Sequence, residues 1–193
     1  MKKFFVALTV ALIVAGNSIA DAAEFTQEQL DKIFLDAGKI ENNSTFNLNA
    51  ETLKEKFNGI ITPILKDATG SDDISAMSHL FLIKDYKVFD GKDGNTFANI
   101  FGDYRVALVG TSTAGGNFKS LSLYYTTPED GDESIFTIWL LTAFVKSISP
   151  EVNVQNLMNE LTAENSSGNV IVDGAKFSIA EDGNLNILTA IAQ

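Results

Sequence analysis

The chain has 193 residues, 14 basic and 25 acidic, a net charge of −11, 45% hydrophobic residues, one histidine and no cysteine; it is long and apolar enough to bury a core and is not a disordered sequence. Without cysteine it has no disulfide frame, thiol catalysis or thiolate metal centre, and a single histidine leaves zinc no ligand set. The acidic balance, with Arg105 the one arginine, argues against nucleic acid and anionic membrane surfaces, which demand clustered lysine and arginine.

The first 22 residues have the three parts of a bacterial secretory signal peptide in order. Lys2 and Lys3 form the positive region, and Phe4 to Ala15 is an uncharged, mostly apolar run too short to anchor in a bilayer. Ala20-Asp21-Ala22 has the small-residue form that signal peptidase accepts, with Ser18-Ile19-Ala20 a second choice. The expectation is a periplasmic or secreted protein, cut after Ala22 or Ala20 and left with no membrane anchor. With no cysteine near the cut, lipid modification is excluded.

Thr26 and Gln29 form a capping box, Phe25 can staple onto Leu30, and Leu30, Ile33, Phe34 and Ala37 recur at helical spacing. This predicts a helix over 27–37, stopped at Gly38. Asn49 is a second N-cap, followed by Leu53, Phe57, Ile60, Ile61 and Ile64 on a helical face that Gly59 and Pro63 threaten to interrupt. Strands are predicted over 80–88, 104–111 and 118–126. Asp90 to Asn95 reads as a turn, and Ala114-Gly115-Gly116-Asn117 joins the last two strands. In the third strand Leu121, Leu123 and Tyr125 share one face. Ser120, Ser122 and Tyr124 share the other, a pattern of half-buried antiparallel sheet.

Glu133 to Ile148 is apolar nearly all round; a strand over Ile135 to Leu140 is the competing reading, but sixteen residues without Gly or Pro favour a helix covered on several sides, with Trp139 in the core. Ser149-Pro150-Glu151 predicts the start of another helix, with Val154, Leu157, Met158 and Leu161 facing inward. A closing meander follows over 170–172, 176–180 and 185–191, turned by Asp173-Gly174 and Asp182-Gly183.

The fold class expected is α+β, an antiparallel sheet with helices to one side, in the order ααβββ-ααβββ. The mature chain, 23–193, reads as one domain whose element order allows two similar halves, 23–128 and 129–193. No residue pattern supports catalysis. His79 lies upstream of Ser112, and the string Gly110 to Ala114 leads into a strand rather than the helix a nucleophile elbow requires. Gly110 to Asn117 lacks the lysine and hydroxyl of a phosphate loop. Asp90, Asp93 and Asn95, and Glu129, Asp130, Asp132 and Glu133, offer oxygen ligands without calcium-loop spacing, and read as solvated turns.

No cofactor or metal site is therefore expected. The functional expectation is a non-catalytic, exported or envelope-associated module that recognises a protein or peptide, with Tyr124 and Ser122 on an exposed strand face as the binding surface. The alternatives are a carrier with an apolar pocket between helix and sheet, and a carboxylate-based hydrolase.

Overall fold

The computed structural model describes residues 25–37, 42–102, 106–128, 131–163 and 166–193; the signal segment and its cleavage point lie outside them. Helix α1, Gln27–Ala37, starts as its capping box dictates. The Thr26 N–H donates to Gln29 Oε1 at 2.8 Å, and the Gln29 N–H to Thr26 Oγ1 at 3.2 Å. Its predicted stop, Gly38, is outside the described residues.

Helix α2, Ala50–Thr69, has the same reciprocal cap between Asn49 and Thr52, both bonds 2.9 Å, and ends on Gly70 in the left-handed conformation. The interruption feared at Pro63 does not occur. The carbonyl that Pro63 leaves without a donor is that of Gly59, and both residues lie on the exposed side, where water can satisfy it. Leu53, Phe57, Ile61 and Leu65 form the buried stripe.

The strand expected over 80–88 is a correction. A 3-10 turn at Ser75–Met77 runs into a one-turn helix α3, Ser78–Phe81, and only β1, Lys87–Phe89, pairs into the sheet. The reason is a competing partner. Asn58 on α2 accepts the Ile83 N–H at 2.9 Å and donates to the Ile83 carbonyl at 2.8 Å, so this backbone is bound to a helix side chain.

Strand β2, Thr96–Phe101, has no counterpart in the sequence-based expectation. It is followed by β3, Val106–Ser112, and β4, Phe118–Thr126, joined by a turn in which Gly116 takes φ +87°. Helix α4, Gly131–Ile148, follows, with Asp132 and Glu133 favourably placed in its first turn. Helix α5, Val154–Thr162, starts later than Ser149-Pro150-Glu151 suggested. Asn153 is its cap, accepting from the Asn156 N–H at 3.0 Å. The meander is β5, Asn169–Val172, β6, Ala175–Asp182, and β7, Leu185–Ala192. Asp173 and Gly174 both take positive φ, as a tight two-residue hairpin needs.

The strands form one antiparallel sheet in the order β1-β2-β3-β4-β7-β6-β5, and the class is α+β. Two meanders meet through their last strands, β4 and β7, so strands from both sides of residue 128 join one sheet. Residues from α2, α4 and α5 bury one face in a single cluster with Phe101, Leu121, Leu123, Phe177 and Leu188. Helix α1 is on the opposite face, where Phe25, Leu30 and Ile33 meet Ala98, Ala107, Val109, Tyr124 and Leu185. The helices are thus not all on one side. The alternation in β4 was read correctly, but its second face is covered too. Among the described residues no helix is long and apolar enough to cross a membrane.

Candidate functional site: a groove at the N-terminal half of α4

Helix α4 carries more apolar surface than its neighbours cover. In its C-terminal half Leu140, Phe144 and Val145 are fully buried, in one cluster with residues of α2 and the sheet. In its N-terminal half Ser134, Thr137 and Ile138 are buried, whereas Ile135 stays 36% exposed. The result is a groove of about 670 Å³, open to solvent along one side. Among the described residues, Ala68 at the end of α2, Met77, Leu80 and Phe81 around α3, Gly102 after β2, and Asp132, Glu133, Ile135, Phe136 and Trp139 of α4 line it.

The walls are held by aromatic contacts. Phe81 packs on Phe136 with ring centroids 4.8 Å apart, and on Trp139 at 5.6 Å. Gly102, at φ +42°, lets the chain pass beneath Phe136, where a Cβ would stand 2.9 Å from Cζ of the ring. Asp73 accepts the Ser75 N–H at 2.9 Å and so orders the turn leading to Met77. Hydrogen bonds from the Ser75 side chain and backbone hold the Asp73 carboxyl below its ordinary pKa. Trp139 is only partly buried and packs on the margin of the core, not at its centre, a second correction. Its indole N–H is nevertheless buried and without a hydrogen-bond partner, a local cost of about 1–3 kcal/mol.

Tyr124 and Ser122 do not form an exposed surface. Tyr124 is 5% exposed, packed in the cluster beneath α1, and Ser122 is 2% exposed with its hydroxyl 3.0 Å from Thr189 Oγ1. The alternation of β4 showed two faces but carried no record of which partner covers the second. His79 is exposed on α3, whereas Ser112 is buried at the end of β3, its hydroxyl bonded to the Asn95 backbone. Asp90, Asp93 and Asn95 lie in the β1–β2 turn, and Glu129 and Asp130 are outside the described residues. No group of three or more His, Cys, Asp or Glu able to hold a metal occurs among the described residues.

Among the described residues that line the groove, Asp132 and Glu133 are the only ionisable ones. The described lining offers dispersion and aromatic contact together with the two carboxylates of the first turn of α4. Burial instead perturbs two phenols in the main core. Tyr125 is pushed up to about 12 by burial and then by the charge of Glu181, and burial raises Tyr86 as well.

Sequence reasoning placed Leu80 and Phe81 in a strand and Ile135, Phe136 and Trp139 in the core, so the groove went unread. One signal was present: a helix apolar on every side needs cover on every side. No protein-family model, curated protein or solved structure matches the chain.

Proposed function

We propose that the protein is an exported, non-catalytic binding module that recognises a protein or peptide through the α3–α4 groove. The observation that carries this reading is an aromatic-walled apolar groove with Ile135 exposed at its edge. Apolar surface left open on a folded chain, with aromatic anchors, suits an inserted side chain of a partner. An open side suits a polypeptide, which brings its own bulk to close the groove, better than a small ligand that needs enclosure. Export rests on the tripartite pattern of residues 1–22.

A second reading has one observation in its favour. The groove volume falls in the range of small-ligand sites, roughly 300–1,000 Å³, so an apolar ligand carrier is the competing function. Chromatography of an envelope extract over immobilised protein separates them. A stoichiometric polypeptide retained by the wild type and lost with Ile135→Asp is the expected result. A copurifying small molecule with no protein partner would transfer the function to the carrier reading. Intact mass of the periplasmic product, lacking the first 20 or 22 residues, checks the export step.

A further inference from the structure

Independently of the groove, we infer that the β5 edge of the sheet pairs with the β5 edge of a second copy of this chain, antiparallel about a two-fold axis at Ile171. β1 and β5 are the outer strands in the sheet order. Of the large hydrophobic residues exposed among the described residues, Ile171 on β5 is the most open, at 65%, and Val88 and Phe89 lie on β1. The two edges differ in what defends them. β1 is three residues long, carries Lys87 and is followed by Asp90, and Phe34 packs on Phe89. A short strand with a charge on it is a poor template for another chain. β5 holds Asn169, Val170, Ile171 and Val172 in unbroken register with β6, and has neither charge nor proline.

Backbone and sequence of β5 both fit a second copy of itself. Val172 and Ala175 flank the two-residue Asp173-Gly174 turn and form the hydrogen-bonded pair that closes it. Hydrogen-bonded and non-hydrogen-bonded pairs alternate along an antiparallel ladder, so the N–H and C=O of Ile171, opposite Lys176, point away from β6. A two-fold axis normal to the sheet at Ile171 sets this residue against Ile171 of the second copy, where the two exchange both N–H···O=C bonds. The same axis sets Val170 against Val172 and Asn169 against Asp173. The run Asn169-Val170-Ile171-Val172-Asp173 is palindromic in its chemistry, polar residues closing a Val-Ile-Val centre, so each residue meets one of its own kind. A second copy supplies that match by symmetry. Asn169 marks the end of the pairing: its side chain donates to the Ser167 carbonyl at 2.9 Å, and its carbonyl accepts from the Ser167 hydroxyl at 3.2 Å.

On the face of the main core, Val170 and Val172 are partly buried beside Phe177 and Ala175, so pairing carries that core across the axis. On the other face the two Ile171 side chains meet between Lys176 of each copy, whose stems lie along them while the ammonium groups stay wet. Four strand residues per copy bury less than the ~1,200 Å² of a stable specific interface, so the dimer is weak and concentration-dependent. The chain's net charge of −11 opposes it, and salt that screens the repulsion strengthens it.

The test is sedimentation equilibrium of the full chain as recovered from its expression host, over a wide concentration range at low and at high salt. Unfolding midpoints confirm that each variant is folded. The expected result is a monomer–dimer equilibrium that tightens as salt rises. Ile171→Lys should weaken it about tenfold or more, since the axis counts the residue twice. Ile171→Pro removes an N–H that faces outward rather than into the ladder with β6, and should weaken it as strongly. The Ile171 amide should exchange hydrogen more slowly where the dimer predominates. Val88→Lys, on the other edge, should leave the equilibrium unchanged.

A chain that stays monomeric at the highest concentration and salt overturns the inference, and so does a dimer indifferent to Ile171→Lys. A dimer whose Ile171 amide gains no protection is not joined by this strand and overturns it too, even where Ile171→Pro fails to fold. Assembly beyond the dimer that is lost with Val88→Lys overturns the two-fold, since β5 then pairs with β1 of the next copy in an open chain. A host polypeptide that copurifies stoichiometrically and is lost with Ile171→Lys overturns the second copy in favour of a foreign strand.

Discussion

The two faces of the sheet are built from the same alternating strands but closed in different ways. On one face, α2, α4 and α5 bury Phe57, Phe101, Phe118, Phe144 and Phe177 in one continuous cluster. On the other, one helix among the described residues, the eleven-residue α1, packs on the strands. Phe34 of α1 stacks near Phe89 of β1, with centroids 4.9 Å apart, while Gln29 and Lys32 reach Asn184 and Asp182 at the β6–β7 turn. The buried sheet residues under it are fewer, Ala98, Ala107, Val109, Tyr124 and Leu185, with Ile100 and Ile187 partly buried beside them. Packing density and the number of covering elements set the stability of each face, since alternation alone cannot tell a covered face from a wet one.

The sharpest way to break this comparison is to cut one aromatic from each face. Phe144→Ala, in the main core, should cost about 3–5 kcal/mol through lost burial and an uncollapsed cavity. Tyr124→Ala should cost less, about 2–3 kcal/mol, because the smaller cluster under α1 has room to relax. Denaturant unfolding of both variants measures the difference. A Tyr124→Ala midpoint equal to wild type would return that face to solvent and displace α1 from the position described.

Alkaline pH probes the main core alone. Tyr125 titrates near 10 when unfolded and at about 12 when folded, because burial, and then Glu181, oppose the phenolate. The folded state therefore holds its proton longer. Stability is unaffected below pH 10 and falls between pH 10 and 12 as the unfolded chain ionises first, by up to about 2–3 kcal/mol from this residue. Tyr86 shifts in the same direction and adds to the slope. The midpoint of urea unfolding followed from pH 8 to 12 should show the fall, and Tyr125→Phe should lessen it. A slope unchanged by that substitution would remove Tyr125 as its source.

The smallest effect is expected at the edge of α1. Lys32 and Asp182 form an ion pair with both side chains about half exposed, and exposed pairs contribute roughly 0–1 kcal/mol. Lys32→Ala should lower the unfolding midpoint slightly at low salt and not at all in 1 M NaCl, where screening is near complete. A loss above about 1 kcal/mol would mean that α1 is held by charge more than by Leu30 and Ile33.

Residues whose conformation is decided by near neighbours were legible in the sequence. The Thr26–Gln29 box, the Asn49 cap, the Gly116 turn and the Asp173-Gly174 hairpin are satisfied within a few residues, so local chemistry fixes them. The α+β class followed from the switch between helical and alternating periods. Segments with distant partners were misread: Leu80 to Tyr86, held by α3 and by Asn58 twenty-five residues upstream of Ile83, and β2, legible only with β1 and β3 on either side.

Tertiary structure alone decided three things. It placed α1 over Tyr124, joined the two meanders through β4 and β7, and left Ile135 of α4 exposed with Phe136 and Trp139 only partly covered beside α3. The physical reason is common to all three. A sequence specifies which surfaces are apolar, through side chains whose burial is favourable wherever it happens. Which surface covers which depends on how many elements reach it, and at Ile135, Phe136 and Trp139 too few do.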